Sequence, residues 1–142
     1  MKKLFLYFAI FTSLFVISCK KASTETLNQV ISPADTAAIV KYNGSFSNGP
    51  SGAVSGLVKI YLKNGKYILS LENFSTSNGP DLKVYLSKEK FPVNFIKLGD
   101  LQSTNGNQLY NIPGMPDFEL YKYVQIHCEK FDHLFGYALI SK

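Results

Sequence analysis

From Val40 onward, apolar and polar side chains alternate with a period of two, the pattern of half-buried strands. In AVSGLVKIYLKNGKYILSLENF, Val54, Val58, Ile60 and Leu62 fall on one face. Asn64-Gly65 follows, the pair favoured in a two-residue type I′ hairpin turn, where both central residues need φ > 0. Tyr67, Leu69 and Leu71 then line one face of the return strand. In DLKVYLS, Leu82, Val84 and Leu86 point one way and Lys83 and Tyr85 the other. KYNGSFS, FIKLG, QLYNI, YVQIHC and LFGYALIS read as further strands, which makes about eight in all. Clusters of Gly, Asn and Pro separate them as turns. No long amphipathic helix interrupts the pattern. The expected fold of residues 40–142 is all-β, an antiparallel β-sandwich or flattened barrel.

The N-terminus follows a different pattern. Lys2 and Lys3 precede a nearly unbroken apolar run over residues 4–17. It is shorter than the roughly 20 residues a membrane-spanning helix needs, and it fits the apolar part of a signal peptide. The run ends in VISC, which resembles the lipobox of bacterial lipoproteins. The resemblance implies a signal peptide over 1–18, cleavage before Cys19, a diacylglyceryl group on its sulfur and acylation of the new amine. Several acyl chains hold a protein on a membrane where one does not. Lys20 and Lys21 then sit at the headgroups, and no Asp follows Cys19 to suggest inner-membrane retention of the enterobacterial kind. Residues 19–39 are rich in Ser, Thr, Asn, Gln and Ala and read as a tether, with a short helix allowed after Pro33. The expected location is the bacterial cell envelope, lipid-anchored.

Charge narrows the partners. All 15 basic side chains are lysines, so bidentate guanidinium recognition of phosphate or guanine is excluded. The net charge of +5 falls to +3 once Lys2 and Lys3 are removed. The remaining lysines are scattered and form no stripe for nucleic acid. A mild attraction to an anionic membrane surface is what remains.

Candidate chemistry is sparse. Cys128 is the only cysteine besides Cys19, so a lipidated Cys19 leaves it no intramolecular partner. Alternation in YVQIHCEKF puts Val124, Ile126 and Cys128 on the core face and Gln125, His127 and Glu129 on the other. Cys128 is then a small core residue, a redox thiol aided by Lys130 on the same face, or a cofactor ligand. His127, Cys128, Asp132 and His133 stand close in sequence, but neighbouring strand residues face opposite ways, so no metal site is expected. His127 and His133 read instead as exposed histidines near a turn. Asn78, Gly79, Pro80 and Asp81 form a turn or a candidate site loop, with Gly79 supplying an unusual φ and Asp81 bonding backbone amides. GMPDF is a similar loop, with Met115 a conceivable axial haem ligand. Tyr61, Tyr85 and Tyr137 fall at outward positions, where they either cover a second layer or loop or form an aromatic binding surface. No Ser-His-Asp arrangement, P-loop or dinucleotide fingerprint is present, and no catalytic residue is assigned.

Several of these stretches together resemble the electron-transfer DM-thirteen domain, a small extracellular β module. They are GSF at 44–46, VSGLVKIY at 54–61, LENFSTSNGPDLKVYLS at 71–87, LGDLQSTNGNQLYNIP at 98–113 and YVQIHCEKFDHLFGYALI at 123–140. The resemblance implies that Cys128 is the family's cysteine, acting as a free thiol or by holding a prosthetic group such as haem. Members often carry a histidine shortly before the Ser-Gly that matches Ser55-Gly56; here the stretch reads PSGAVSG and holds none. The expectation is a redox or electron-transfer accessory domain with an envelope protein or redox partner. The alternative is a ligand- or protein-binding module in which Cys128 fills the core.

Overall fold

The computed structural model describes residues 38–142. The expected signal peptide, Cys19, the tether as far as residue 37 and the helix after Pro33 lie outside the described residues, and the last two tether residues, 38 and 39, belong to a strand. Eight strands form: β1 (Ala38–Asn48), β2 (Val54–Lys63), β3 (Lys66–Thr76), β4 (Leu82–Ser87), β5 (Phe95–Asp100), β6 (Asn105–Ile112), β7 (Tyr123–Cys128) and β8 (His133–Leu139). A single 3-10 turn, Glu129–Phe131, joins β7 to β8. The strands are those the alternation predicts, with β1 and β6 each starting three residues before the stretches KYNGSFS and QLYNI.

All pairings are antiparallel, in the order β5-β4-β7-β8-β1-β2-β3-β6. Strand β1 joins two half-sheets: its first part pairs with β2, and Phe46, Ser47 and Asn48 pair with β8. The β2–β3 hairpin closes at Lys63↔Lys66. Asn64 (φ 50°) and Gly65 (φ 73°) both lie in the left-handed region that the type I′ turn requires.

The two half-sheets close over one core. Val58, Ile60, Leu69 and Leu71 from β2 and β3 meet Val84, Leu86, Val124 and Ile126 from β4 and β7. Burial of this apolar area, at about 25 cal/mol per Å², is the main term holding the halves together. The segment between the edge strands β5 and β6 narrows the remaining gap. Leu101 N–H donates to Leu82 O (2.8 Å), and the Gln102 side-chain amide donates to Leu109 O (2.9 Å). The result is a nearly closed barrel.

The outward faces of β4 and β7 are where the fold departs from simple alternation. Lys83, Tyr85, Gln125 and His127 point away from the core, as expected, and yet are buried. Residues 88–94 fold back over Gln125 and His127. The Gln125 side-chain amide pins that segment by donating to the carbonyls of Glu89 and Lys90, both at 2.8 Å. The outward tyrosines therefore serve as covering: Tyr61 and Tyr85 are buried, and Tyr137 is half-buried beneath the Lys90 ammonium, 4.3 Å from its ring centroid.

Candidate functional site

Cys128 ends β7, paired with Leu82 on β4 and His133 on β8. Its side chain lies in the core at 0% exposure, as a free thiol. Lys130 does not share its face. The strand stops at Cys128, and the period of two stops with it, so Lys130 sits in the 3-10 turn, exposed, over the Phe131 ring. His127 and Cys128 do face opposite sides of the sheet. Among the described residues, no group of three His, Cys, Asp or Glu side chains is placed to hold a metal ion.

These residues do not fit a haem held by Cys128. The sulfur is packed among core side chains, and a macrocycle there would displace them. Met115, 71% exposed, lies beside a separate cleft lined by Lys66, Tyr67 and Ile112.

The chemistry-bearing groups gather on the other side of the same sheet. Tyr85, 1% exposed, stacks on Phe95 with centroids 4.1 Å apart and planes 14° from parallel, and its ring lies 5.5 Å from that of His127. The register builds this contact: Tyr85 lies between Lys97 on β5 and Gln125 on β7. The Tyr85 hydroxyl donates to Glu129 Oε1 at 2.5 Å, and Lys97 Nζ reaches the same carboxylate at 2.9 Å. Glu129 is fixed by its own N–H, which donates to Asp81 O at 3.0 Å. Burial, then the hydrogen bond to Glu129, push the Tyr85 phenol far above its ordinary value. The Tyr85 and Lys97 hydrogen bonds hold the Glu129 carboxyl below its own.

A second charged group adjoins it. Lys83 Nζ lies 2.7 Å from Asp100 and 2.5 Å from Asp81. Its pKa is raised, chiefly by Asp100 and then by Asp81, and Asp100 is lowered in return. The loop singled out in the sequence thus contributes Asp81 to an ion-pair network. Its carboxylate pairs with Lys83 rather than capping backbone amides. Gly79 takes no positive φ; a Cβ there would stand 2.6 Å from Leu82 Cδ2 and 2.9 Å from Phe135 Cζ, so what the position needs is space. Asn78 and Pro80 are exposed; Gly79, Pro80 and Asp81 border a cleft of about 360 Å³ that Asp100 and Gln102 complete.

His127 is not the exposed residue the sequence suggests. It is 4% exposed, because the segment after β4 covers it. Its Nε2–H points to Asp132 Oδ1 (3.2 Å), while Nδ1 is buried without a partner. His133 is exposed. With Phe91, Val93, Asp132 and Leu134, these histidines line a cleft of about 390 Å³. Burial lowers the His127 pKa from 6.5, outweighing Asp132, which raises it. The folded state therefore favours neutral imidazole, and the unfolded chain binds the proton more readily. This contribution to stability is complete above the unfolded value of about 6.5 and is lost as pH falls toward the folded value. We expect the urea midpoint to drop between pH 7.5 and pH 5.5, and the drop to shrink in His127→Gln. Equal drops in the two proteins would show that His127 is not the titrating group.

Phe95, Lys97, Asp100 and Glu129 come to Tyr85 and Lys83 from β5 and from the turn after β7. No local motif announces them; the only sequence signal was the outward pair Lys83 and Tyr85 in β4.

The fold and site define a small antiparallel β module with one buried thiol inside and a covered polar-aromatic cluster outside. The family model described as Electron transfer DM13 matches residues 45–140, and the chain belongs to that family. No curated protein and no solved structure matches the chain.

Proposed function

We propose that the protein is a lipoprotein of the bacterial cell envelope, anchored through Cys19, whose β domain is a non-enzymatic redox and electron-transfer accessory. The family points to electron transfer. One observation carries that reading to this chain: Tyr85 and His127, on the outward face of β4 and β7, are withdrawn from water and stacked. Ionisable groups are costly to bury, and perturbed ones gathered beside a cleft mark candidate functional sites.

Two versions differ in where the electron resides. In one it is the Cys128 thiol, as the family resemblance implies. In the other, Cys128 packs the core and the outer face carries the electron; complete burial of the thiol supports this version. A separate reading, a ligand- or protein-binding module, draws support from the cleft beside exposed Phe91 and Val93.

A mediated redox titration of the full-length protein in detergent separates them. Reversible electron exchange that survives Cys128→Ala places the centre outside the core. Exchange lost in a folded Cys128→Ala protein makes the thiol the centre. No exchange in the wild type overturns the electron-transfer reading and leaves the binding module. For the anchor, Cys19→Ser is expected to abolish labelling by radioactive palmitate and to move the protein out of the membrane fraction. Unchanged labelling and fractionation would refute the lipid attachment.

A further inference from the structure

We propose that Tyr85 and Glu129 form a proton-coupled electron relay, with Tyr85 as the side chain that is reversibly oxidised. This rests on the electron-transfer reading and gives it a residue. A phenol that loses an electron becomes a strong acid, so oxidation is easiest where a base already holds the proton. Here the base is in place: the Tyr85 O–H donates to an ionised carboxylate oxygen of Glu129, a charge-assisted hydrogen bond. The carboxylate is held ionised by that Tyr85 hydrogen bond and then by Lys97, which pairs with it at 2.9 Å.

The step balances within this pair and one partner. The oxidant is a high-potential metal centre of the partner protein docked on Phe95, which takes one electron from the Tyr85 ring and is itself reduced by one electron. The O–H bond breaks, and the proton passes to Oε1 of Glu129. The products are a neutral phenoxyl radical, a carboxylic acid and the reduced oxidant. A one-electron donor reverses the step, and the proton returns to oxygen.

Both particles have a route. Phe95 lies over Tyr85 in stacking contact and is 42% exposed, so a redox partner docked on Phe95 is separated from Tyr85 by one ring. Glu129 is one-third exposed and exchanges its proton with water. The Tyr85 ring itself is sealed off, which keeps water and reductants from quenching the radical.

The protein contains its own control. Tyr61 also donates to a carboxylate, Glu72, at 3.0 Å, with Lys59 2.7 Å from it. The two sites share residue types; Tyr85 is the more completely buried and has the stack on Phe95.

The test uses the full-length protein in detergent, with photogenerated tris(bipyridine)ruthenium(III) as oxidant and electron paramagnetic resonance as readout. The wild type and Tyr61→Phe are expected to give the same phenoxyl signal, and Tyr85→Phe to lose it. Glu129→Gln keeps a hydrogen-bond acceptor but removes the base, and is expected to slow radical formation at least about tenfold. Circular dichroism checks each fold; should Tyr85→Phe not fold, Glu129→Gln decides. An unchanged signal in Tyr85→Phe, or an unchanged rate in Glu129→Gln, overturns the relay. If mediators still exchange electrons with the wild type in that case, electron transfer stands on another group. If they exchange none, both proposals fall.

Discussion

Cys128 in the native protein is expected to react with a thiol reagent at least about a thousandfold more slowly than in denaturant. The sulfur is wholly buried, and β7 lies between β4 and β8 rather than at an edge. A reagent larger than water therefore reaches it only when β7 separates from both neighbours. Such openings approach the global unfolding free energy, about 5–15 kcal/mol for a domain. An opening free energy of about 4 kcal/mol already gives a thousandfold protection, at 1.4 kcal/mol per factor of ten. The measurement is the labelling rate in Cys19→Ser, where Cys128 is the sole thiol, with and without guanidinium. A native rate within tenfold of the denatured one would mean that β7 opens locally, and would restore an accessible thiol centre. Protection at the expected level confines Cys128 chemistry to electrons that arrive through protein, without thiol–disulfide exchange, which needs direct attack on sulfur.

The positions that could and could not be read from sequence separate along one physical line. Alternation reports which way a side chain points. It placed Val58, Ile60, Val124, Ile126 and Cys128 inward, and Asn64-Gly65 fixed the hairpin, because both signals are local. Alternation does not report whether the outward side is later covered. Tyr85 and His127 face outward as read, yet their burial depends on residues 88–94, on Phe95 from the next strand and on Glu129 from a turn 44 residues away. These are consequences of strand order, which places β4 between β5 and β7. The same limit made Asp81 read as a turn residue bonding backbone amides rather than as part of an ion-pair network. Its partner Lys83 is only two residues along, but Asp100 joins them only through the β4–β5 pairing, where Lys83 is registered against Asp100. Gly79 was assigned a torsional role when its constraint is steric, and that distinction needs the position of Phe135, far along the chain.

Tyr85→Ala is expected to destabilise the domain by about 3–5 kcal/mol, the range for truncating a buried aromatic side chain. The substitution removes the ring under Phe95, leaves a void beside His127 and takes the hydroxyl from Glu129. Tyr85→Phe should cost less, about 1.5–3 kcal/mol, the worth of a hydrogen bond to a charged group. It keeps the packing, and Glu129 retains Lys97 and water. Urea denaturation of both variants at pH 7.5, with slopes equal to that of the wild type, reads the difference directly. A cost below about 1 kcal/mol for Tyr85→Ala would show that the covering of the outer face is loose, with the segment after β4 able to collapse into the void. A large cost has a different meaning for function. It makes the stack part of the barrel's second, outward core, so the geometry around the Tyr85 hydroxyl is held by packing rather than by a mobile loop. Rigid support of this kind keeps a donor and its base at a fixed separation. It also predicts that the two Tyr85 variants part company: Ala loses stability and oxidation chemistry together, whereas Phe loses the chemistry while keeping most of the fold.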